Sequence, residues 1–329
     1  MFKRSSIVLL LTIGMVFPAC RKDHPDGVEA PTCDCIPTPP TPMQGWNFQV
    51  PEHVVNGPRF NPNDGDEFIF MERPHGSQTE FNLRRYRIST GLMSQVLTGD
   101  NLVNMSFPAD WGSNGWILLN LTSSQGQNIF KVKATGDSLS QLTFSSSNFS
   151  PIWSPSCTHY GYNYTGVPGG QVLVDAHSGN SDTLLSVPLN GTSCWFEQDL
   201  VASVGFSGVF IDDLVTDQTI QVCAMPSDLY DFAAPTGIAM LPGDQTILWM
   251  HTGGLYRTDR ASGSTEQLFC TCNSQYFVGL DYSPQTNKLL TTRITRTPMN
   301  DQDLLIETDI VLMNPDGTGQ QVLNLPFPE

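Results

Sequence analysis

"DIVLMNPDGTGQQVL", residues 309–323, is an apolar run, a Pro-Asp-Gly turn and a second apolar run. "NIFKVKATGDSLSQL", residues 128–142, has the same form. Each reads as a strand, a turn whose glycine takes a backbone angle that other residues avoid, and a returning strand. The unit recurs as a turn glycine with a leucine six residues on: Gly91/Leu97, Gly136/Leu142, Gly179/Leu185 and Gly317/Leu323, with a shorter version at Gly263/Leu268. Ahead of each stands a large apolar landmark, often followed by a polar residue and proline: "FNP" at 60, "WSP" at 153, "MLP" at 240 and "YSP" at 282, with looser forms at Trp111 and Trp195. The landmarks are 51, 42, 42, 45 and 42 residues apart. A period of about 40–50 residues built from short strands is the pattern of a β-propeller. One such unit cannot cover its own apolar faces, so the units stack round a ring.

The expected fold is therefore all-β: a six-bladed β-propeller with four antiparallel strands per blade. The blades fall at about 57–100, 101–145, 148–188, 191–225, 232–270 and 275–325, and each first strand lines a central channel. "GWNFQV", 45–50, is a spare strand, set either on an outer edge or against the channel. Composition agrees. Of 329 residues only 15% are charged, Gly (28) and Pro (24) are plentiful, and no long helical pattern occurs.

"IWSPSCTHYGYNY" and "DIVLMNPDGTGQQVL" together resemble the two halves of the TolB-like propeller repeat, a relative of the WD-type repeat. "SQLTF" at 140 and "SQVLT" at 94 are similar to its closing strand. The resemblance covers about 57–325. It is poorest in repeat four, which keeps Trp195 and a strand pair around "GVFIDDLVTDQTIQV". TolB carries an extra N-terminal α/β domain; here a Pro-rich segment stands in that place, so TolB's own role is not implied.

That segment follows "MFKRSSIVLLLTIGMVFPAC". Lys3 and Arg4, an apolar run from Ile7 to Phe17 and then Ala19-Cys20 read as a signal peptide, too short to span a bilayer. The ending resembles the lipobox of bacterial lipoproteins, with Phe17 and Pro18 where Leu and a small residue are usual. The resemblance implies cleavage before Cys20 and lipidation of its thiol; ordinary secretory cleavage after Ala30 is the alternative. Residues 1–19 are then the signal peptide, 20–45 a lipidated tether, and 46–329 the propeller. Two or three acyl chains on one cysteine anchor stably. Arg21-Lys22-Asp23 resembles the charged export signal of some surface lipoproteins. The expected location is the outer membrane, on its periplasmic or surface side, with the membrane met through the anchor alone.

Formal net charge is −16; without Lys3 and Arg4, 32 acidic residues face 14 basic ones, or −18. That disfavours nucleic acid and anionic headgroups as partners. No Gly-x-Ser-x-Gly elbow, phosphate loop or His-Glu-x-x-His occurs. "NPNDGDE", 61–67, with Glu72, has the oxygen donors of a calcium loop, but Gly65 falls one place early and the site needs a hairpin turn. The first strands offer Asp110, Glu197, Asp199 and Asp281 as acids for a propeller enzyme. Trp111, Trp153 and Trp195 share a repeat position and belong to the core, as do Trp116 and Trp249. Trp46 lies outside the repeats and is open to binding. The six histidines show no ligand spacing. Arg85 and Arg87 alternate onto one side of their strand. Cys33-x-Cys35 and Cys270-x-Cys272 lack the usual zinc spacing. No metal or cofactor is expected.

The reading is a monomeric binding module for an envelope protein or glycan; the alternative is a propeller lyase or glycosidase. The less repetitive connections, 74–80, 165–170 and 295–303, all join second to third strands and should share one face. Asp301 and Asp303 there are the candidate binding acids. The address has a direct check: in a Gram-negative host the wild-type chain should take up labelled palmitate, and Cys20→Ala should leave unprocessed, unlabelled precursor. Wild-type protein that takes up no label removes the anchor.

Overall fold

The computed structural model describes residues 47–74, 81–99, 109–123, 126–145, 147–165, 170–185, 192–225, 235–243, 245–251, 254–270, 275–300 and 303–327. Cys20, Trp46 and Asp301 lie outside them. Among the described residues every element is a strand.

A short strand, β1 (Asn47–Gln49), comes first. Blade one is β2 (His53–Asn61), β3 (Asp64–Pro74), β4 (Phe81–Arg87) and β5 (Leu92–Gly99). Blade two is β6 (Asp110–Trp111), β7 (Trp116–Ser123), β8 (Gly126–Lys133) and β9 (Ser140–Gln141). Blade three is β10 (Asn148–Trp153), β11 (His159–Tyr164), β12 (Gly170–Asp175) and β13 (Ser181–Leu185). Blade four is β14 (Thr192–Glu197), β15 (Leu200–Gly205), β16 (Gly208–Asp213) and β17 (Gln218–Ala224). Blade five is β18 (Gly237–Met240), β19 (Thr246–His251), β20 (Gly254–Asp259) and β21 (Thr265–Cys270). Blade six is β22 (Gln275–Ser283), β23 (Lys288–Pro298), β24 (Asp303–Met313) and β25 (Gln321–Val322). Within each blade consecutive strands pair antiparallel. The expected six-bladed propeller is the observed fold.

The turn glycines explain the repeat. Gly91, Gly136, Gly179, Gly263 and Gly317 all have left-handed φ, from +67° to +91°, in the turn between third and fourth strands. Blade four has no glycine there: Asp217 takes the position at φ +54°, and Cys223, six residues on and 2% exposed, replaces the closing leucine. The repeat is intact in blade four; only its residue types change.

Each seam between blades carries an apolar cluster, because alternate residues of a strand point to opposite neighbours. Ile69, Leu83 and Val96 meet Trp111, Ile117 and Leu119 between blades one and two. Leu118 and Ile129 meet Trp153, Tyr160 and Tyr162 between two and three. Ala202, Val204 and Cys223 meet Ile238, Trp249 and Tyr256 between four and five. Leu248 and Leu255 meet Phe277, Leu289 and Val311 between five and six. The seam between three and four is thinnest: of its cluster Leu173 alone is buried, packed on partly buried Trp195 and Leu214.

Both chain ends close the ring. β1 runs parallel to β24 on its outer edge, Asn47 opposite Asp303 and Gln49 opposite Leu305, while β25 takes the other end of that edge opposite Val311 and Leu312. Of the two placements open to "GWNFQV", this is the outer edge. Leu323, Leu325 and Phe327 then pack with Phe60, Phe68, Phe70 and Tyr86 of blade one. The Tyr86 hydroxyl donates to Asn324 O (3.2 Å), and the Phe327 ring stacks on His53 at 4.2 Å.

Two turn glycines separate backbone strain from crowding. A Cβ on Gly136 would lie 2.5 Å from Val96 O of blade one; a Cβ on Gly179 would meet nothing within 4 Å. Gly179→Ala should therefore cost about 1–2 kcal/mol, the left-handed penalty alone. Gly136→Ala should add a further ~1–3 kcal/mol for pushing two blades apart. Denaturant melts measure both, and equal losses would deny the close approach.

Candidate functional site

Antiparallel order gives the ring two different faces. Turns between first and second and between third and fourth strands lie on one, the turn face. Connections between second and third strands, and between blades, lie on the other, the loop face. The strands flanking 74–80, 165–170 and 295–303 are second and third strands, so the described ends of these connections lie on the loop face. Residues 75–80, 166–169 and 301–302 of those connections are outside the described set. Asp303 is described. It opens β24, half-buried, with its carboxylate accepting from Asn300 Nδ2 (2.5 Å) and its N–H donating to Asn300 Oδ1 (2.9 Å). It braces the turn and sits beside the β1 junction.

The residue just before the landmark in blades one, two, four and six is Arg59, Asp110, Cys194 or Asp281, and these four lie close together at the centre; in blades three and five it is Ile152 or Ala239. An innermost strand has no sheet partner on the channel side, so its N–H groups there need other acceptors. Asp281 Oδ2 accepts the Phe60 N–H of blade one at 2.7 Å. Asp110 Oδ2 accepts the Trp153 N–H of blade three at 2.6 Å. Cys194 faces the Met240 N–H of blade five in the same way. Blades two, four and six thus each cap the next blade. Arg59 lies among them, Nη1 donating to Leu280 O (2.9 Å) and to Asp281 Oδ1 (3.3 Å).

This is a low-dielectric centre. Burial raises both Asp110 and Asp281 above the usual carboxylate range, against the attraction of Arg59, and the two acids add to each other's cost in Asp281. Burial pushes the Cys194 thiol up to about 12, so it is no nucleophile at neutral pH. Asp281 keeps 24% of its side chain accessible, so the carboxylate is enclosed by the blades without being sealed from solvent. Of the four first-strand acids, these two reach the axis. Glu197 sits on the turn-face rim, 3.7 Å from Arg260, and Asp199 is exposed in a turn.

The turn-face mouth is laced between blades. Gln285 Nε2 donates to Pro62 O (2.6 Å), Asn63 Nδ2 to Ser113 O (2.8 Å), and Gln198 Nε2 to Thr158 Oγ1 (3.4 Å); Ser113 Oγ meets Cys157 Sγ at 3.3 Å. In the "NPNDGDE" hairpin Asp64, Asp66 and Glu67 surround the Arg87 guanidinium at 2.9, 3.4 and 3.5 Å. The arginine, from the adjoining strand, occupies the place a cation would need. Arg85 joins it, 3.6 Å from Glu67. Glu72 is far from that loop. It is 1% exposed near the loop face and fully engaged by His53 Nδ1 (2.6 Å), Arg84 Nε (2.6 Å) and Asn82 Nδ2 (3.0 Å).

Trp111, Trp153 and Trp249 are buried, whereas Trp116 and Trp195 are half-buried. Lys131 and Lys133 lie over the Trp116 ring at 5.0 and 5.5 Å. A polar cleft of about 360 Å³ on blade five is lined by Thr246, Arg257, Asp259, Ser264, Thr265 and Glu266, with Arg257 paired to Glu266. Among the described residues no cluster of His, Cys, Asp and Glu has a metal-binding arrangement. Cys157, Cys194 and Cys223 are free thiols, and Cys270 is disulfide-bonded. The sequence reading missed Arg59, Cys194 and the His53–Glu72–Arg84 cluster. Aligning the residue before each landmark would have found the first two.

No family model matches the chain, and no curated protein matches it. Solved structures do. TolB from Acinetobacter baumannii is similar at TM-score 0.52 and 12% identity, over 65% of this chain and 56% of that one. A chain of the nidogen/laminin complex is similar at 0.53 and 10%, over 66% and 81%. A puromycin-hydrolyzing peptidase from Mycobacterium tuberculosis is similar at 0.52 and 11%, over 84% and 55%. At these identities the shared feature is the propeller fold. The chain spans little more than half the length of the TolB and peptidase chains that it matches.

The raised carboxylates have a signed consequence. A folded-state pKa above the unfolded 3.8 means that the native state holds the proton more tightly. The contribution of Asp110 to stability is then greatest at the acid end and falls as pH rises through its raised pKa. Asp110→Asn, whose Oδ1 still accepts the Trp153 N–H, should gain on wild type in melting temperature as pH rises above the unfolded 3.8. Asp281 is raised by burial in the same way, so Asp281→Asn should show a trend of the same sign with pH. A wild-type-minus-Asp110→Asn difference that is flat with pH contradicts the buried assignment.

Proposed function

We propose that this propeller is an interaction module of the bacterial cell envelope, held by a lipid on Cys20 and presenting its faces to an envelope protein or polymer. One observation carries it: the axial carboxylates are engaged in joining blades. Asp110 and Asp281 each cap a backbone N–H of the following blade, and Asp281 also pairs with Arg59. A glycosidase or lyase needs an acid and a base free to exchange protons with substrate. The structural likeness to TolB supports an envelope setting, and the likeness to a nidogen/laminin chain supports binding as a use of the fold.

The enzyme reading keeps one specific observation. Two carboxylates of raised pKa beside an arginine, in a channel that water reaches, are also how an active site is tuned. The two readings separate in one assay. All described strands lie after residue 46, so protein lacking residues 1–44 is immobilised, exposed to solubilised envelope, and in parallel incubated with envelope polysaccharides. The binding reading expects retention of a specific envelope component that weakens with salt, given the acidic surface, and no new reducing ends or unsaturated products. Turnover lost in Asp110→Asn or Asp281→Asn would instead establish the enzyme.

A further inference from the structure

The thinnest seam also carries buried polar groups that have no hydrogen-bond partner. In β12, Val172 and Val174 pack toward blade two, so Gln171 and Leu173 face blade four. In blade four, Ala202, Val204, Val209 and Ile211 pack toward blade five. Alternation therefore turns Val201, Ser203, Phe210 and Asp212 to blade three. Ser203 pairs with Phe210 and Val201 with Asp212, so Ser203 and Asp212 lie on one face, one diagonal step apart. Gln171 is one side-chain repeat from Leu173, the residue that meets Trp195 and Leu214 across the seam. On its own sheet Gln171 pairs with buried Asn163, and Leu173 with Gly161, whose missing side chain leaves space.

Gln171, Ser203 and Asp212 are each 1% exposed. Both amide atoms of Gln171, Ser203 Oγ and Asp212 Oδ2 are buried without a hydrogen-bond partner. Asp212 Oδ1 is satisfied by the Thr219 hydroxyl at 2.5 Å. Such groups in one seam are unusual, since an unpaired buried polar atom costs about 1–3 kcal/mol and a charged one more. Water answers hydrogen-bonding needs, but does not neutralise a carboxylate in an interior.

We propose that the seam between blades three and four binds a hard divalent cation, Ca²⁺ by its donor chemistry, through Asp212 Oδ2, Gln171 Oε1 and Ser203 Oγ. All three donors are oxygens, with no imidazole or thiolate among them, which excludes soft-metal preference. Ca²⁺ accepts mixed neutral and charged oxygens in irregular geometry and completes its shell with backbone carbonyls and water; Mg²⁺ demands a near-ideal octahedron. Gln171 Nε2 then donates to a water the ion carries. One carboxylate means weak binding, on the order of 10⁻⁴–10⁻³ M, the range of modules outside the cytosol. The ion joins the two blades where apolar contact is least.

The test uses the full chain in EDTA, CaCl₂, MgCl₂, and NaCl of matched ionic strength. Ca²⁺ should raise the melting temperature by several degrees with saturation, and the other two salts should not. Tb³⁺, substituting for Ca²⁺, should luminesce on excitation of tryptophan, because Trp195 lies on the same seam. Asp212→Asn and Gln171→Leu should each weaken Ca²⁺ at least tenfold and dim Tb³⁺. Gln171→Leu also removes an orphan polar group, so its melting temperature in EDTA should hold or rise, which shows that the loss of response is not misfolding. A wild-type melting temperature unmoved by CaCl₂ overturns the site. So does an unchanged Ca²⁺ response in both variants.

Discussion

A propeller's innermost strands present one edge to no other strand, and the N–H groups on that edge must find acceptors or leave the fold unstable. This chain meets the constraint with side chains from the preceding blade. Asp281 reaches Phe60, Asp110 reaches Trp153, and Cys194 reaches Met240. The acceptor comes from alternate blades, so the ring is chemically three pairs although it is geometrically six blades. Between pairs the residue before the landmark is apolar, Ile152 or Ala239, or is the arginine that balances the acids. Once the edge is capped across a seam, the blades are set in register, and the apolar clusters on either side follow from strand alternation.

That arrangement decides how the axial acids are read. A carboxylate in low dielectric with raised pKa is an ordinary sign of catalysis, and so is a pair of them around an arginine. Here each is also an acceptor at under 3 Å for a backbone group that has no alternative partner. Removing the acid leaves an unmet N–H as well as a changed charge. Structural need and catalytic tuning produce the same electrostatics, and the backbone partner supplies a structural need in either case.

Much of the fold was legible because its demands are local. A left-handed turn calls for glycine, and a blade needs one large residue at its landmark; both appear in the letters. Blade four read poorly because Asp217 accepts the left-handed turn more readily than most side-chain-bearing residues, and because Cys223 fills a core position as a small apolar side chain. The candidate site was less legible. Asp110 and Asp281 were visible as first-strand acids, but Arg59 lies some fifty residues from one and over two hundred from the other in sequence. The His53–Glu72–Arg84 cluster joins adjacent strands by a register that sequence alone does not fix.

Closure follows from the same edge logic at the outside of blade six. Its fourth-strand position is divided, with β25 at one end of β24 and β1 at the other. Neither piece is long: two residues in one and three in the other. Such short strands contribute little alone, so the burden passes to packing, with Leu323 and Phe327 covering Phe68 and Phe70, and to the Val55 N–H, which donates to Thr308 Oγ1 at 2.8 Å. The chain enters along β24 on the loop face and crosses directly to the innermost strand of blade one. A pull applied through the N-terminal segment is therefore felt first at the seam between blades six and one. That seam carries Phe60, Phe68, Leu290 and Ile310 in its core and the Arg59–Asp281 pair at the axis. The load reaches the ring at a well-packed seam, and the thin seam between blades three and four lies diametrically opposite.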